Sequence, residues 1–135
     1  MDRVTETILI IENDPSNLVA FALILRSFGY AVLEAGSRDA AWRVCHRRQG
    51  PIHLVVTNAI LDDHPVSGFV ARLRLVYPQV RALIVSEASL GELADNQSTP
   101  HECAFLQKPF RADALADTIR GLLDGPKQRA VSSHS

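Results

Sequence analysis

The sequence predicts an α/β domain built on a doubly wound, five-stranded parallel sheet. Two observations carry that fold class. Five short runs rich in Val, Ile and Leu lack the strict alternation of half-exposed strands, as expected of parallel strands covered on both faces. Helical patterns lie between them, so the chain reads as β–α units in series, which right-handed crossovers wind into one sheet with helices on both faces. Among the doubly wound orders, five strands favour 2-1-3-4-5. That order puts the working crevice beyond the strands' carboxyl ends, at the reversal between strands 1 and 3.

The expected strands are Ile8–Ile11, Ala31–Glu34, Ile52–Thr57, Val80–Val85 and Ala104–Leu106. Asp14-Pro15 supplies an N-cap and a first-turn proline for the first helix. Its apolar positions Leu18, Phe21, Ala22, Leu25 and Phe28 recur at helical spacing before Gly29 ends it. Ser37 caps a second helix with Ala40, Ala41, Val44 and Cys45 inward and Gly50 beyond it. Ser67 opens a third, with Val70, Leu73 and Val76 inward and Pro78 past its end. A fourth, around Leu90–Asn96, is weakly specified because it holds Gly91 and few apolar residues. The fifth follows Pro109, buries Leu115, Ile119, Leu122 and Leu123, and stops near Gly125-Pro126. Residues 1–125 are thus expected to form one domain, and 126–135 a polar tail read as disordered.

At 135 residues the chain has one domain's length, enough to bury about two-thirds of its unfolded surface without a metal or disulfide staple. Apolar residues make up 47% and charged residues 21%, the mixture of a folded globule rather than a disordered segment. Fourteen basic residues against 15 acidic ones give a net charge of −1, which provides no general attraction to nucleic acid or an anionic membrane. The longest apolar run, Leu18 to Leu25, is eight residues and too short to span a bilayer or to serve as a signal peptide. Cys45 and Cys103 form no C-x-x-C or metal-ligand spacing and read as small buried hydrophobes. These features predict a reduced, cytoplasmic protein.

Strand ends gather polar residues on one rim: Glu12-Asn13-Asp14, Thr57-Asn58, Ser86-Glu87 and Gln107-Lys108-Pro109. No G-x-G-x-x-G or P-loop follows any strand, and Glu-Asn-Asp-Pro after strand 1 would repel a phosphate rather than cradle it. G-x-S-x-G is absent, and no histidine stands where it would serve Ser86. His46 with Arg47 and Arg48 reads as a solvated helix end that suits the helix dipole, and His53 starts a strand away from the rim. Arg38, Arg43, Arg47 and Arg48 read as an exposed basic face of the second helix, with Trp42 at its edge as partial core.

Six segments carry a family resemblance. They are Ile8-Leu-Ile-Ile-Glu-Asn-Asp-Pro15, Gly29-Tyr-Ala-Val-Leu-Glu-Ala-Gly36, His53-Leu-Val-Val-Thr-Asn58, Ser67-Gly-Phe69, Leu83-Ile-Val-Ser86 and Lys108-Pro-Phe110. In order and spacing, from about Ile8 to Leu123, the chain resembles the receiver domain of two-component response regulators. The resemblance implies a flavodoxin-like (βα)5 fold and a phosphorylation switch. In that family an aspartate ending strand 3 takes a phosphoryl group from a histidine kinase, and two acids after strand 1 help hold Mg²⁺. A Ser/Thr on strand 4 and a lysine grip the phosphate, while an aromatic on strand 5 changes rotamer.

Carried over by position, Ser86, Phe105 and Lys108 match the switch and phosphate-grip residues. The acidic pocket reads Glu12, Asn13, Asp14, with an amide where the second acid stands, and the phosphoacceptor position is Asn58. An amide oxygen is a poor nucleophile and forms no acyl phosphate. Mg²⁺ wants charged oxygens; at an effective dielectric of 20 a charge pair at 4 Å is worth about 4 kcal/mol. Metal binding at the Glu12, Asn13 and Asn58 positions is therefore expected to be weak or absent, with no cofactor. The loop from Asn58 to Gly68 is longer than usual for the family and carries Asp62 and Asp63 as candidate replacement acids, with Asp62 where a proline is customary.

The expectation is a stand-alone, bacterial-type pseudo-receiver, not an enzyme, acting by phosphorylation-independent protein binding. Its partner would be a histidine kinase, a phosphotransfer protein or an output protein, with a homodimer as a further form. By resemblance the docking face comprises the fourth helix, strand 5 and the fifth helix: Leu90–Glu102, Phe105 and the outward side of Arg111–Leu123. Two alternatives stand beside it. One is a phosphorylatable receiver using Asp62, Asp63 or Asp14; the other is a small-molecule sensor using the rim pocket.

Overall fold

A computed structural model describes residues 5–61, 64–87 and 103–125. Strands β1 (Thr7–Ile11), β2 (Ala31–Ala35), β3 (Leu54–Asn58), β6 (Arg81–Ser86) and β7 (Ala104–Gln107) form one parallel sheet in the order β2-β1-β3-β6-β7. This is the expected 2-1-3-4-5 order. The numbering differs because two short strands, β4 (Ile60–Leu61) and β5 (His64–Pro65), pair antiparallel in the loop after β3. Three of the four expected strands before β7 run one residue further at their carboxyl ends, which brings Ala35, Asn58 and Ser86 into the sheet.

Local chemistry explains where the helices begin. In α1 (Pro15–Ser27), the Asp14 carboxylate accepts the N–H groups of Ser16 and Asn17 at 2.9 and 3.3 Å. Gly29 (φ +99°) then supplies the left-handed residue that turns the chain into β2. Ser37 Oγ accepts the Ala40 N–H at 3.0 Å and starts α2 (Arg38–Arg47). Ser67 opens α3 (Ser67–Val76), as expected. Val66 occupies the cap position, held by its N–H donating to the Ala59 carbonyl at 2.8 Å. The last described helix, α4 (Ala112–Asp124), follows Arg111 without a side-chain cap.

The sheet has a core on each face, as alternation along buried parallel strands requires. On one face Leu9, Ile11, Val55, Ala82 and Ile84 meet Ala41 and Cys45 of α2 and Phe69, Val70 and Leu73 of α3. On the other, Ile8, Ile10, Leu54, Val56, Leu83 and Val85 meet Leu25 of α1 and Leu115 and Ile119 of α4. Val76, expected inward, is 60% exposed: α3 turns Phe69, Val70 and Leu73 to the core, and its final residue lies past the contact. Cys45 is buried, but Cys103 is only partly so. Trp42 packs on Phe69 with ring centroids 4.8 Å apart and the Arg72 guanidinium 5.5 Å from its ring, joining α2 to α3.

The expected basic face of α2 is divided. Arg38 donates to the Leu61 carbonyl, and Arg48, an extended cap residue, donates to Thr7 Oγ1 at 3.0 Å. Arg43 and Arg47 are exposed. His53 Nδ1 accepts the Thr7 N–H at 2.9 Å, a structural bond at the amino end of the sheet. A larger polar clamp lies at that same end. Arg120 donates to both Glu6 oxygens at 3.2 and 2.9 Å, to both Asp124 oxygens at 2.9 and 2.8 Å, and to Tyr30 Oη at 3.2 Å. The expected fourth helix at Leu90–Asn96 and the tail lie outside the described residues.

Candidate functional site

The sheet's topology builds the rim. Because β1 and β3 are neighbours whose crossovers leave in opposite directions, their carboxyl ends open a crevice. Glu12 follows β1 directly and is 5% exposed, its backbone extending the ladder to the Ala35 carbonyl. Asn58 ends β3, in register with Val85 of β6. Ser86 ends β6, in register with Gln107, and the Lys108 N–H donates to the Ser86 carbonyl at 2.7 Å. That bond fixes where the lysine side chain starts. The Lys108–Pro109 peptide is cis.

A three-membered polar cluster results. Asn58 Nδ2 donates to Glu12 Oε1 at 3.3 Å, and Lys108 Nζ donates to Asn58 Oδ1 at 3.3 Å. Lys108 Nζ also lies 3.8 Å from Glu12 Oε1. The second Glu12 oxygen accepts the Asp14 N–H at 3.0 Å. The amide is suited to this bridging position, because it presents a donor to the carboxylate and an acceptor to the ammonium. One negative and one positive charge are thereby matched, and both are hydrogen-bonded, which is the condition for keeping them partly buried.

Two clefts share Lys108. The smaller, about 260 Å³, is lined by Asn58, Ala59, Ile60, Ser86, Glu87 and Lys108. The larger, about 610 Å³, runs between α1 and the start of α4, with Phe21, Phe110, Ile24 and Leu115 as its apolar walls. Glu12, Glu87 and Lys108 stand at its polar end.

No family model matches the chain. The sensor kinase CckA of Brucella abortus (strain 2308) is 26% identical over 118 residues, which are 87% of this chain and 12% of that protein's length. A CheY-like response-regulator receiver domain protein from Methanospirillum hungatei JF-1 superposes with a TM-score of 0.73 at 21% identity, covering 90% of this chain and 95% of that one. For the chemotaxis protein CheY4 of Vibrio cholerae the TM-score is 0.75 at 17% identity, covering 89% and 100%. The fold is that of a CheY-like receiver domain.

In this receiver fold the anticipated residues fall into three groups. Glu12, Asn58, Ser86 and Lys108 converge on the rim. Asn13 is exposed and contributes to neither cleft, and the Asp14 carboxylate is spent on the first turn of α1. Phe105 is half-buried on the α2–α3 face of β7, packed against that core. Asp62 and Asp63, and most of the expected docking face at Leu90–Glu102, lie outside the described residues. Among the described residues no group of three His, Cys, Asp or Glu converges as a metal cluster.

Sequence reasoning did not single out Asn17, Phe21, Ile24 and Phe110 as a cleft, nor the exposed apolar row Val19, Leu23 and Ile24 beside it. The signal was present: α1 is apolar around most of its circumference, and a helix that is apolar on more than one face has more than one surface to cover. No helix among the described residues is long and apolar enough to cross a membrane.

Proposed function

We propose that this domain is a receiver module of two-component signalling that has exchanged phosphoryl chemistry for constitutive protein binding in the cytoplasm, without enzymatic activity of its own. The Asn58 amide bridge between Glu12 and Lys108 carries the reading. A carboxylate at position 58 would face Glu12 with like charge and call for a cation; the amide instead closes the cluster within the protein. The donor set also fits Mg²⁺ poorly. Glu12 supplies the carboxylate of the cluster, its oxygens already accept two N–H groups, and an ammonium stands 3.8 Å from it.

A switch without its phosphate moves only for a ligand that binds its two states differently. Protein partners suit this role: a histidine kinase, a phosphotransfer protein or an output protein. The solvent-exposed apolar row of α1 beside the larger cleft supports docking there. This adds to the expected face around Phe105 and the outer side of α4.

The test is incubation of the chain with acetyl phosphate and Mg²⁺, followed by intact mass measurement. Absence of phosphate on the wild type and its gain in Asn58→Asp is the expected result. Phosphate on the wild type, at Asp62, Asp63 or Asp14, overturns the reading.

The larger cleft favours a second reading, a small-molecule sensor. Its volume of about 610 Å³ and its apolar walls with a polar end have the proportions of a ligand pocket. A thermal-shift screen that finds no stabilising ligand would set this reading aside.

A further inference from the structure

Three side chains at the rim have a chemical relation that goes beyond any signalling role. Lys108 carries an amine, Asn58 a carboxamide and Glu12 a carboxylate, and each is within 3.8 Å of the other two. Lys108 Nζ is hydrogen-bonded to Asn58 Oδ1, which holds the amine against the carboxamide it would attack. Glu12 Oε1 accepts from Asn58 Nδ2 and lies 3.8 Å from Nζ, so one carboxylate oxygen serves both the entering and the departing nitrogen. Glu12 is 5% exposed, which limits competition from water for its oxygens.

We propose that Lys108 and Asn58 form an intramolecular isopeptide bond, with Glu12 as the proton carrier. The steps balance without any oxidant, reductant or co-reactant. Glu12 takes a proton from the Lys108 ammonium, and the neutral amine attacks Cγ of Asn58 as a nucleophile. The carbonyl π pair moves to Oδ1 as the Nζ–Cγ bond forms. Glu12 returns the proton to Nδ2, the Cγ–Nδ2 bond breaks, and the carbonyl reforms. Ammonia leaves with the remaining excess proton from Nζ as ammonium, and Glu12 is a carboxylate again. Holding both reactants in contact removes the entropic cost of bringing an amine to an unactivated amide. The product joins positions 50 residues apart, tying the end of β3 to the segment after β7. The inference stands on these three distances and does not depend on the proposed function.

The test is intact mass spectrometry of the full chain after prolonged incubation, followed by tryptic mapping. The expected result is loss of the mass of one ammonia, with residues 49–72 and 82–111 recovered as one branched peptide. Lys108→Arg and Glu12→Gln are each expected to keep the full mass. A wild type that retains its full mass overturns the proposal. So does ammonia loss with unlinked peptides, which marks a succinimide at an asparagine. A branched peptide that survives in Glu12→Gln removes Glu12 from the assigned role.

Discussion

Two polar clusters sit at opposite ends of the same sheet, and they handle charge differently. At the amino end Arg120 faces two full carboxylates, Glu6 and Asp124, through paired hydrogen bonds, with Tyr30 closing the group. At the carboxyl end Lys108 meets one carboxylate, and the uncharged Asn58 stands between them. The first cluster is a clamp: its bonds span up to 114 residues and hold the last turn of α4 to the residue before β1. The second sits at the crevice that the fold reserves for ligands, and there the protein supplies its own internal bridge. Charge is thus kept where it fastens the chain and reduced where it would recruit a cation.

The largest test of this contrast is Asn58→Asp. A second carboxylate beside Glu12 is expected to raise Mg²⁺ affinity at least tenfold, or about 1.4 kcal/mol, as measured by amide NMR titration. With beryllofluoride added, shifts should spread to Ser86, Phe105 and Lys108. A variant as unresponsive as the wild type would show that the rim lacks more than its acceptor.

Arg120→Met probes the other end. It should lower unfolding free energy by about 1–2 kcal/mol, because a network of charged hydrogen bonds is lost from a partly solvated site. Urea denaturation measures this, and the rim's ligand response should stay unchanged. A shift in rim behaviour would mean the two ends are coupled through the sheet.

A smaller effect, about 1 kcal/mol, is expected for Asp14→Ala, which removes the α1 cap. If Asp14 instead acted mainly as a rim acid, the variant would not lose stability. The smallest effect is on pH dependence. Burial pushes the Tyr30 phenol above its ordinary 10.0 and the Cys45 thiol above 9.0. Above those values the unfolded chain releases protons that the native chain still binds, so stability should fall as pH rises past about 9. Denaturant midpoints measured from pH 8 to 11 check the sign; a rise would contradict it.

Strand positions, sheet order, the Asp14 and Ser37 caps and the Gly29 turn were all legible in the sequence, because each follows from local residue chemistry or periodicity. The β4–β5 pair was not, since two-residue strands leave no periodic trace. Val76 misled for a related reason: helical spacing places it on the right stripe, but not within reach of the sheet. At the site, Glu12, Asn58, Ser86 and Lys108 could be placed by strand ends and resemblance together. Their mutual bonds could not, because side chains 46 and 50 residues apart meet only through the strand register. The Arg120 clamp was hidden for the same reason at greater separation.

The packing of Trp42 has an optical consequence. It is the chain's single tryptophan, packed on Phe69 with the Arg72 guanidinium over its ring on the α2–α3 side of the sheet. Its emission therefore reports on that side alone and has no direct view of the Glu12–Asn58–Lys108 cluster. A fluorescence change on adding a rim ligand would be a signal relayed across the sheet, measurable without a label.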